Sequence, residues 1–415
     1  MSSERLAGQF RCGLERVRAT ASDRGQSNNV TNGRPESRKV RDANEVIVVG
    51  GSAAGFSTAA HLANGGKAVR VLESQPGLDP LPRTLIVTDH FRGQVNGAGS
   101  ASIVNEIRRL ELFADGRSAT ITLKRPDLII ERSRLIRALA ADAEAAGARI
   151  EYDTRFLGLE PNGNGLRVDA DQGGKRVQLH ARSLVGADGA VSRVARAAGW
   201  PPVETVPLVQ ALVRLPKDCP LDTTRIWFIP DDTPYFYWLI PESPDRGALG
   251  VIGEQGRDTK RAFDRFLETK GFEPLEWQGA RIPVYRQWVP IHRNVGNGEV
   301  YLVGDAAAQV KVTTVGGIVT GLRGARGVAD AILGNSRSEL RALRRELATH
   351  WLIRRTLHYF RQEEYRQLVD MLNVSTRESL AEINRDEAAR LLWNVVRRQP
   401  QLVLLGLRGL LLGKR

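Results

Sequence analysis

The apolar run Val46-Ile47-Val48-Val49 leads directly into Gly50-Gly51-Ser52-Ala53-Ala54-Gly55, and no other stretch limits the fold as strongly. Four consecutive apolar residues without polar alternation are the pattern of a central parallel strand covered on both faces. A helix is expected through Ala59, Ala60 and Leu62 to Gly65-Gly66, and Ala68 to Leu72 then make a second strand ending at Glu73. Strand, glycine-rich turn, helix, strand and acid in this order form a dinucleotide-binding unit in its required context. Gly50 makes the tight turn, Ala54 and Gly55 let the helix close on the strand, and Glu73 offers a carboxylate to the adenosine ribose hydroxyls. Ser52 stands where a second glycine is usual, and its hydroxyl is expected to reach the pyrophosphate.

Two later segments end strands in the same manner. Leu184-Val185-Gly186-Ala187-Asp188-Gly189 is followed by Ser192, Arg193 and Arg196, and alone it reads as an Asp-Gly turn. Val300 to Val303 lead into Gly304-Asp305-Ala306-Ala307, then into Thr313-Thr314-Val315-Gly316-Gly317-Ile318 and a helix. Asp305 can accept hydrogen bonds from sugar-alcohol hydroxyls. The N–H groups at Gly317 and Ile318 open a helix, where an anionic ligand is favoured.

The 415 residues allow one large α/β domain with insertions, or two domains. Sixty basic against 47 acidic residues give a net charge of +13, which favours an anionic partner. No stripe of basic residues interleaved with aromatic ones appears, so nucleic acid is not expected. Cys12 and Cys219 are the only cysteines. A disulfide framework and a cysteine-rich metal site are thereby excluded. Residues 1–44 are polar and basic without an apolar core, which reads as a disordered tail and not as a secretory signal. From Ser336 onward, Leu340, Leu343, Leu347 and Trp351 recur at helical spacing, with Ser336 and Glu339 placed as a capping box and a second start at Ser375 with Glu378. The run Leu402 to Leu412 is too short to cross a bilayer, and it reads equally as an interfacial helix or as a last core helix.

The order and spacing of the three glycine elements resemble the large flavoprotein group of aromatic hydroxylases, halogenases and geranylgeranyl reductases. The resemblance implies that the first turn and the Gly304-Asp305 corner hold FAD, with Asp188 a weaker candidate. It also implies that Arg132, after Asp127-Leu128-Ile129-Ile130-Glu131, reaches the flavin pyrophosphate, and that Arg83 or Thr84 contacts the cofactor. The Thr313–Ile318 loop is similar to that of the reductases, with Val315 in place of the first of three glycines. Phe236-Tyr237-Trp238-Leu239-Ile240-Pro241 resembles the reductases' Tyr-x-Trp-x-Phe-Pro and also the halogenases' Trp-x-Trp-x-Ile-Pro. On a strand, Phe236, Trp238 and Ile240 share one face, a wall suited to an isoprenoid chain. Halogenases need a catalytic lysine; Lys124 is the only lysine between Lys67 and Lys175, and no matching motif surrounds it. The reductases' loop cysteine is also missing from Leu81-Pro82-Arg83-Thr84-Leu85.

The expected fold is therefore α/β. A discontinuous Rossmann-like FAD-binding domain covers residues 45–335, with an inserted β-sheet substrate domain mainly in 200–296 and a helical C-terminal segment in 336–415. The resemblance implies reduction of carbon–carbon double bonds in a polyprenyl lipid or prenylated quinone, with a flavin-dependent monooxygenase or halogenase as the alternative. No second nucleotide fingerprint is present, so electrons come from NADPH as a visitor or from reduced ferredoxin. Tyr235, Tyr237 and His292 are proton-donor candidates by residue type alone. A cytoplasmic protein is expected, peripheral at a membrane through its C-terminal tail, with no metal site.

Overall fold

The computed structural model describes residues 45–372, 377–378, 381–382, 385–398, 401 and 404–406. The expectations for the tail over 1–44, for Cys12, for a helix start at Ser375 and for most of the run Leu402–Leu412 lie outside the described residues.

The strand Glu45–Val49 forms the centre of a six-stranded sheet. Its neighbours are Ala68–Leu72 and Ser183–Gly186, both parallel to it. Arg149–Glu151 and Gly298–Leu302 extend the sheet in parallel on either side, and His292–Val295 closes one edge antiparallel. Helices α1 (Ala53–Asn64), α2 (Arg132–Ala145) and α4 (Ile318–Ile332) form one layer, with α1 packed against both others. A three-stranded antiparallel sheet over residues 154–181 places Phe156, Leu166, Val168 and Ala170 in the same apolar cluster as Ile47 and Val48. Burial from two sides explains why Val46 to Val49 carry no polar residue.

A second sheet of eight strands stands beside the first. Thr205–Arg214, Thr223–Trp227, Tyr237–Pro241, Arg246–Ile252 and Pro274–Pro283 come from the stretch in which a substrate sheet was expected. Thr84–Val87, Ile103–Ala114 and Arg117–Glu131 supply the other three, so the sheet reaches back to the segment just after Glu73. Helix α3 (Thr259–Lys270) covers one face, where Phe263, Phe266 and Leu267 meet Tyr237 and Leu239. The opposite face carries Ile107, Ile121, Trp238 and Ile240.

Helices α5 (Ser338–Leu357), α6 (Gln362–Asp370) and α7 (Ala388–Arg398) follow. On α5, Leu340, Leu343 and Leu347 are buried at the expected spacing. The capping box expected at its start is absent: Ser336 Oγ accepts from Ser338 N at 3.1 Å, and Glu339 pairs with Arg323 Nε at 2.6 Å. The helix begins one residue later than that box would set it, at Ser338 with Arg337 as its N-cap. Helix α6 lies on the strands Ile103–Ala114 and Arg117–Glu131, with Tyr365 stacked on Phe228 at 4.5 Å between ring centres. Among the described residues no helix is long and apolar enough to cross a membrane.

Candidate functional site

Gly50 has φ +106°, and a Cβ there would lie 2.6 Å from Ala187 O. A side chain is excluded both by the backbone conformation and by the neighbouring strand end. Ser52 is the N-cap of α1: its Oγ accepts from Gly55 N at 3.1 Å and donates to Ala187 O at 3.0 Å. Both hydrogen bonds lie within the turn and make Ser52 a helix cap. Glu73 accepts from Gly51 N at 2.6 Å and from Gln75 N at 2.8 Å, which fixes its carboxylate at the mouth of the turn. Ala54 sits where the two glycine-rich turns meet, since a Cβ on Gly304 (φ +64°) would approach Ala54 Cβ to 2.9 Å.

The Asp188 carboxylate accepts from Ser192 Oγ at 2.5 Å, from Arg193 N at 2.7 Å and from Val194 N at 3.1 Å. It closes the start of a short helix and is committed to that role. Asp305 is in a different setting. Burial pushes its carboxyl above the usual carboxylate range, and the nearby Arg83 and Arg132 only partly offset this. Its Oδ1 lies 3.2 Å from where a Cβ of Gly317 would be, so the Gly-Asp corner faces the start of α4. Gly317 is the N-cap of α4 and has no side-chain hydrogen bond, which leaves N–H groups at the helix start, near Ile318, open to a ligand.

Arg83 and Arg132 meet through strand pairing. Thr84 is opposite Glu131, and Arg132 N donates to Arg83 O at 2.9 Å. Both guanidiniums are held below their ordinary range by burial, each feels Asp305, and Arg83 also feels Arg132. Arg83 Nε is buried without a hydrogen-bond partner. Two half-buried cations sharing one carboxylate, one with an unmet donor, leave excess positive charge suited to an anionic group such as a pyrophosphate. Thr84 does not join them: its Oγ1 donates to Glu242 Oε2 at 2.9 Å, inside the second sheet. Taken together, these features fit FAD, with Glu73 available to a ribose, the two arginines to a pyrophosphate, and Asp305 with the start of α4 to the flavin end.

Phe236, Trp238 and Ile240 fall on one face and Tyr237 and Leu239 on the other, as strand alternation requires. Trp238 lies edge-on to Phe236 at 6.1 Å and donates from Nε1 to Gln210 Oε1 at 3.3 Å. Gln210 is itself tied to Thr84 O at 3.2 Å, which joins the aromatic wall to the arginine strand. Val310 and Val315, from the loop behind the Gly-Asp corner, belong to the same apolar cluster, as do Tyr365, Val369 and Leu405 of the C-terminal segment. Leu405 is buried and Leu404 exposed, so the described part of the terminal run presents one side chain to the core and one outward.

Of the three proton-donor candidates, only Tyr235 joins that cluster; burial pushes its phenol up, with Arg354 stacked on the ring. Tyr237 OH donates to Asp232 at 2.8 Å on the opposite face, and His292 lies on the edge strand against Tyr301. Lys124 is on the surface, 2.5 Å from Glu382.

Sequence reasoning missed a polar group under the corner loop. Lys311 is buried and paired with Asp386, Thr313 Oγ1 lies 2.7 Å from His350 Nδ1, and Asp127 pairs with Arg385. A lysine set between Val310 and Val312 is the one signal that could have indicated it.

The family model described as FAD binding domain matches residues 43–336. Digeranylgeranylglycerophospholipid reductase 1 of Methanothermobacter thermautotrophicus is 26% identical over 309 residues, covering 68% of this chain and 74% of its own length. Among solved structures, a geranylgeranyl bacteriochlorophyll reductase-like protein from Thermoplasma acidophilum superimposes with a TM-score of 0.72 at 18% identity, over 86% of this chain and 97% of its own. The flavin-dependent brominase Bmp2 gives 0.60 at 18% identity, over 81% and 92%. At such identities the two solved structures speak to the fold alone.

Proposed function

The chain belongs to the FAD binding domain family, and we propose that it reduces carbon–carbon double bonds in a polyprenyl chain, borne by a lipid or a prenylated quinone. It is an FAD-dependent oxidoreductase; the polyprenyl substrate is the further step. The observation that carries this step is the apolar face of Phe236, Trp238 and Ile240, which continues through Val315 to Tyr365 and Val369. An apolar wall of this kind suits a hydrocarbon chain better than a small aromatic ring with polar substituents. The curated relative's name, digeranylgeranylglycerophospholipid reductase, supports the same substrate class.

In this reading Glu73 holds the adenosine ribose, Arg83 and Arg132 the pyrophosphate, and Asp305 the sugar-alcohol chain. Gly50, Ala54 and Gly55 keep the first turn open, and Gly317 and Ile318 present backbone N–H groups to the flavin ring. Bound and reduced, FAD supplies a hydride. An isolated alkene cannot stabilise a carbanion, so a proton must reach the second carbon at or before hydride arrival. Tyr235, the one of the three candidates that joins the apolar cluster, is the candidate for holding that proton. The apolar wall excludes water, which protects the reduced cofactor from side reactions. NADPH or a reduced ferredoxin supplies the electrons.

The halogenase alternative needs a catalytic lysine in the region after the first βαβ unit, whereas Lys124, the only lysine between Lys67 and Lys175, has a 64% exposed side chain paired with Glu382. The test is anaerobic incubation of photoreduced protein with polyprenyl diphosphates, prenylated quinones and unsaturated archaeal-type lipids. Products heavier by two hydrogens per bond, with reoxidation of the flavin, are expected. A hydroxylated or halogenated product that forms only with oxygen would overturn the proposal.

A further inference from the structure

We propose that Lys311 is a cation of the flavin-binding loop that eases flavin reduction, with Asp386 of the C-terminal segment as its counter-ion. The inference rests on the reading that the flavin ring lies along Gly316 and Gly317.

Lys311 is the one buried lysine among the described residues. It forms an isolated bridge with Gly316, donating from its own N to Gly316 O at 3.1 Å, and its O accepts from Val315 N at 2.7 Å. Its side chain folds back beneath the loop: Nζ lies 3.9 Å and Cε 3.5 Å from where a Cβ of Gly316 would stand. The ammonium is therefore held against the glycine backbone on which the ring would rest.

Asp386 pairs with Nζ from the side of the C-terminal segment and accepts a hydrogen bond from Thr88 Oγ1, with His90 Nδ1 at 3.7 Å. Burial alone would raise its carboxyl, but the charge and hydrogen bond of Lys311 and the Thr88 contact hold it below the usual range. The neighbouring charges are themselves paired, Asp127 with Arg385 and Glu346 with His350. Asp386 and Glu346 also line a cleft of about 700 Å³ on the side of His90 and Arg323. Lys311 does not line this cleft. The cation lies under the loop, and its buried counter-ion lies between it and the cleft.

A structural link alone does not require these charges. A buried ion pair is often matched or exceeded in stability by apolar residues of similar volume, and Lys311 is flanked by the buried Val310 and Val312. A charge fixed beside the ring acts differently on the two redox states. Two-electron reduction with uptake of one proton leaves the flavin ring carrying a negative charge, and a nearby ammonium stabilises that state over the neutral oxidised one.

The experiment uses the full chain carrying FAD and measures the flavin midpoint potential by anaerobic reductive titration with a reference dye, for the parent, K311M, D386N, K311M/D386N and K311R. K311M is expected to lower the reduced-to-oxidised ratio at a fixed ambient potential at least tenfold, about 30 mV for a two-electron couple. D386N is expected to raise it, the double variant to fall below the parent, and K311R to keep the parent value. Should K311M alone fail to fold, D386N and the neutral double variant carry the test. Variants that retain FAD and stay within threefold of the parent, or single variants that shift the potential in the same direction, overturn the inference. A parent that binds no FAD overturns the site reading as well, so the two failures are told apart.

Discussion

Val315 occupies the left-handed region with φ +54°, a conformation that costs a β-branched residue about 1–2 kcal/mol. The position is one where the reductases carry glycine. Val315→Gly is therefore expected to raise stability by about 1 kcal/mol in urea unfolding despite the loss of a partly buried side chain. Val312→Ala, at a site 2% exposed, should cost about 2 kcal/mol. Asp305 gives the opposite trade. Its folded pKa lies above its unfolded value, so the stability tied to its neutral form is present at low pH and is lost as pH rises through the folded value. Asp305→Asn should make the apoprotein more stable at pH 7, with the gain vanishing near pH 3, while FAD affinity measured by flavin fluorescence falls. Arg132→Met should weaken FAD by about 1.5–3 kcal/mol, the range for a charge-assisted hydrogen bond, with little change in apoprotein stability.

Helix α2 shows how one element can position a ligand-binding side chain. Glu131 caps it, accepting from Ser133 N and Arg134 N at 2.9 Å each, and takes Arg83 N at 3.2 Å. Burial opposes its ionisation, but the Ser133 hydroxyl, together with these backbone hydrogen bonds, holds its carboxyl below the usual range. Glu131→Ala should thus cost about 1 kcal/mol of stability in thermal unfolding and also loosen FAD, because it frees both arginines at once. The first strand, turn and helix were legible because their signals are local: Gly50, Gly55 and Glu73 act within one βαβ unit. The convergence of Arg83 on Arg132 was not, since it depends on the antiparallel pairing of Thr84 with Glu131, which leaves no periodic trace. The same holds for Lys311 with Asp386, joined across 75 positions by packing of the C-terminal segment. Ser52 is ambiguous for another reason: a serine after two glycines suits a ligand and a helix cap equally, and only the fold, through Ala187 O and Gly55 N, reveals the cap. Asp188 was ambiguous in the same way until Arg193 N and Val194 N were seen to claim it.

At the scale of the whole molecule, charge and exposed apolar side chains point to a surface role for the C-terminal helices. Trp393 on α7 is 68% exposed and Leu404 is 67% exposed, on a chain of net charge +13. Binding to vesicles containing anionic lipid is expected, weakening as salt rises, and Trp393→Ser with Leu404→Ser should reduce it without moving the thermal midpoint. Deletion of 401–415 should instead lower that midpoint, because Leu405 is lost from the core. The six-stranded sheet has a separate consequence for how the protein is made. Its strands come from residues 45–49, 68–72, 149–151, 183–186, 292–295 and 298–302, and the loop at Gly317 lies beyond all of them. A ribosome delivers the fingerprint turn early, yet most of the chain must emerge before Asp305 and Gly317 can join it. Until residues 183–186 emerge, the nascent chain must therefore keep one edge of the hydrophobic strand Glu45–Val49 unpaired, a state in which aggregation competes with folding. Cofactor capture becomes a late event in biogenesis, and the availability of FAD as the chain is completed then bears directly on how much of it survives.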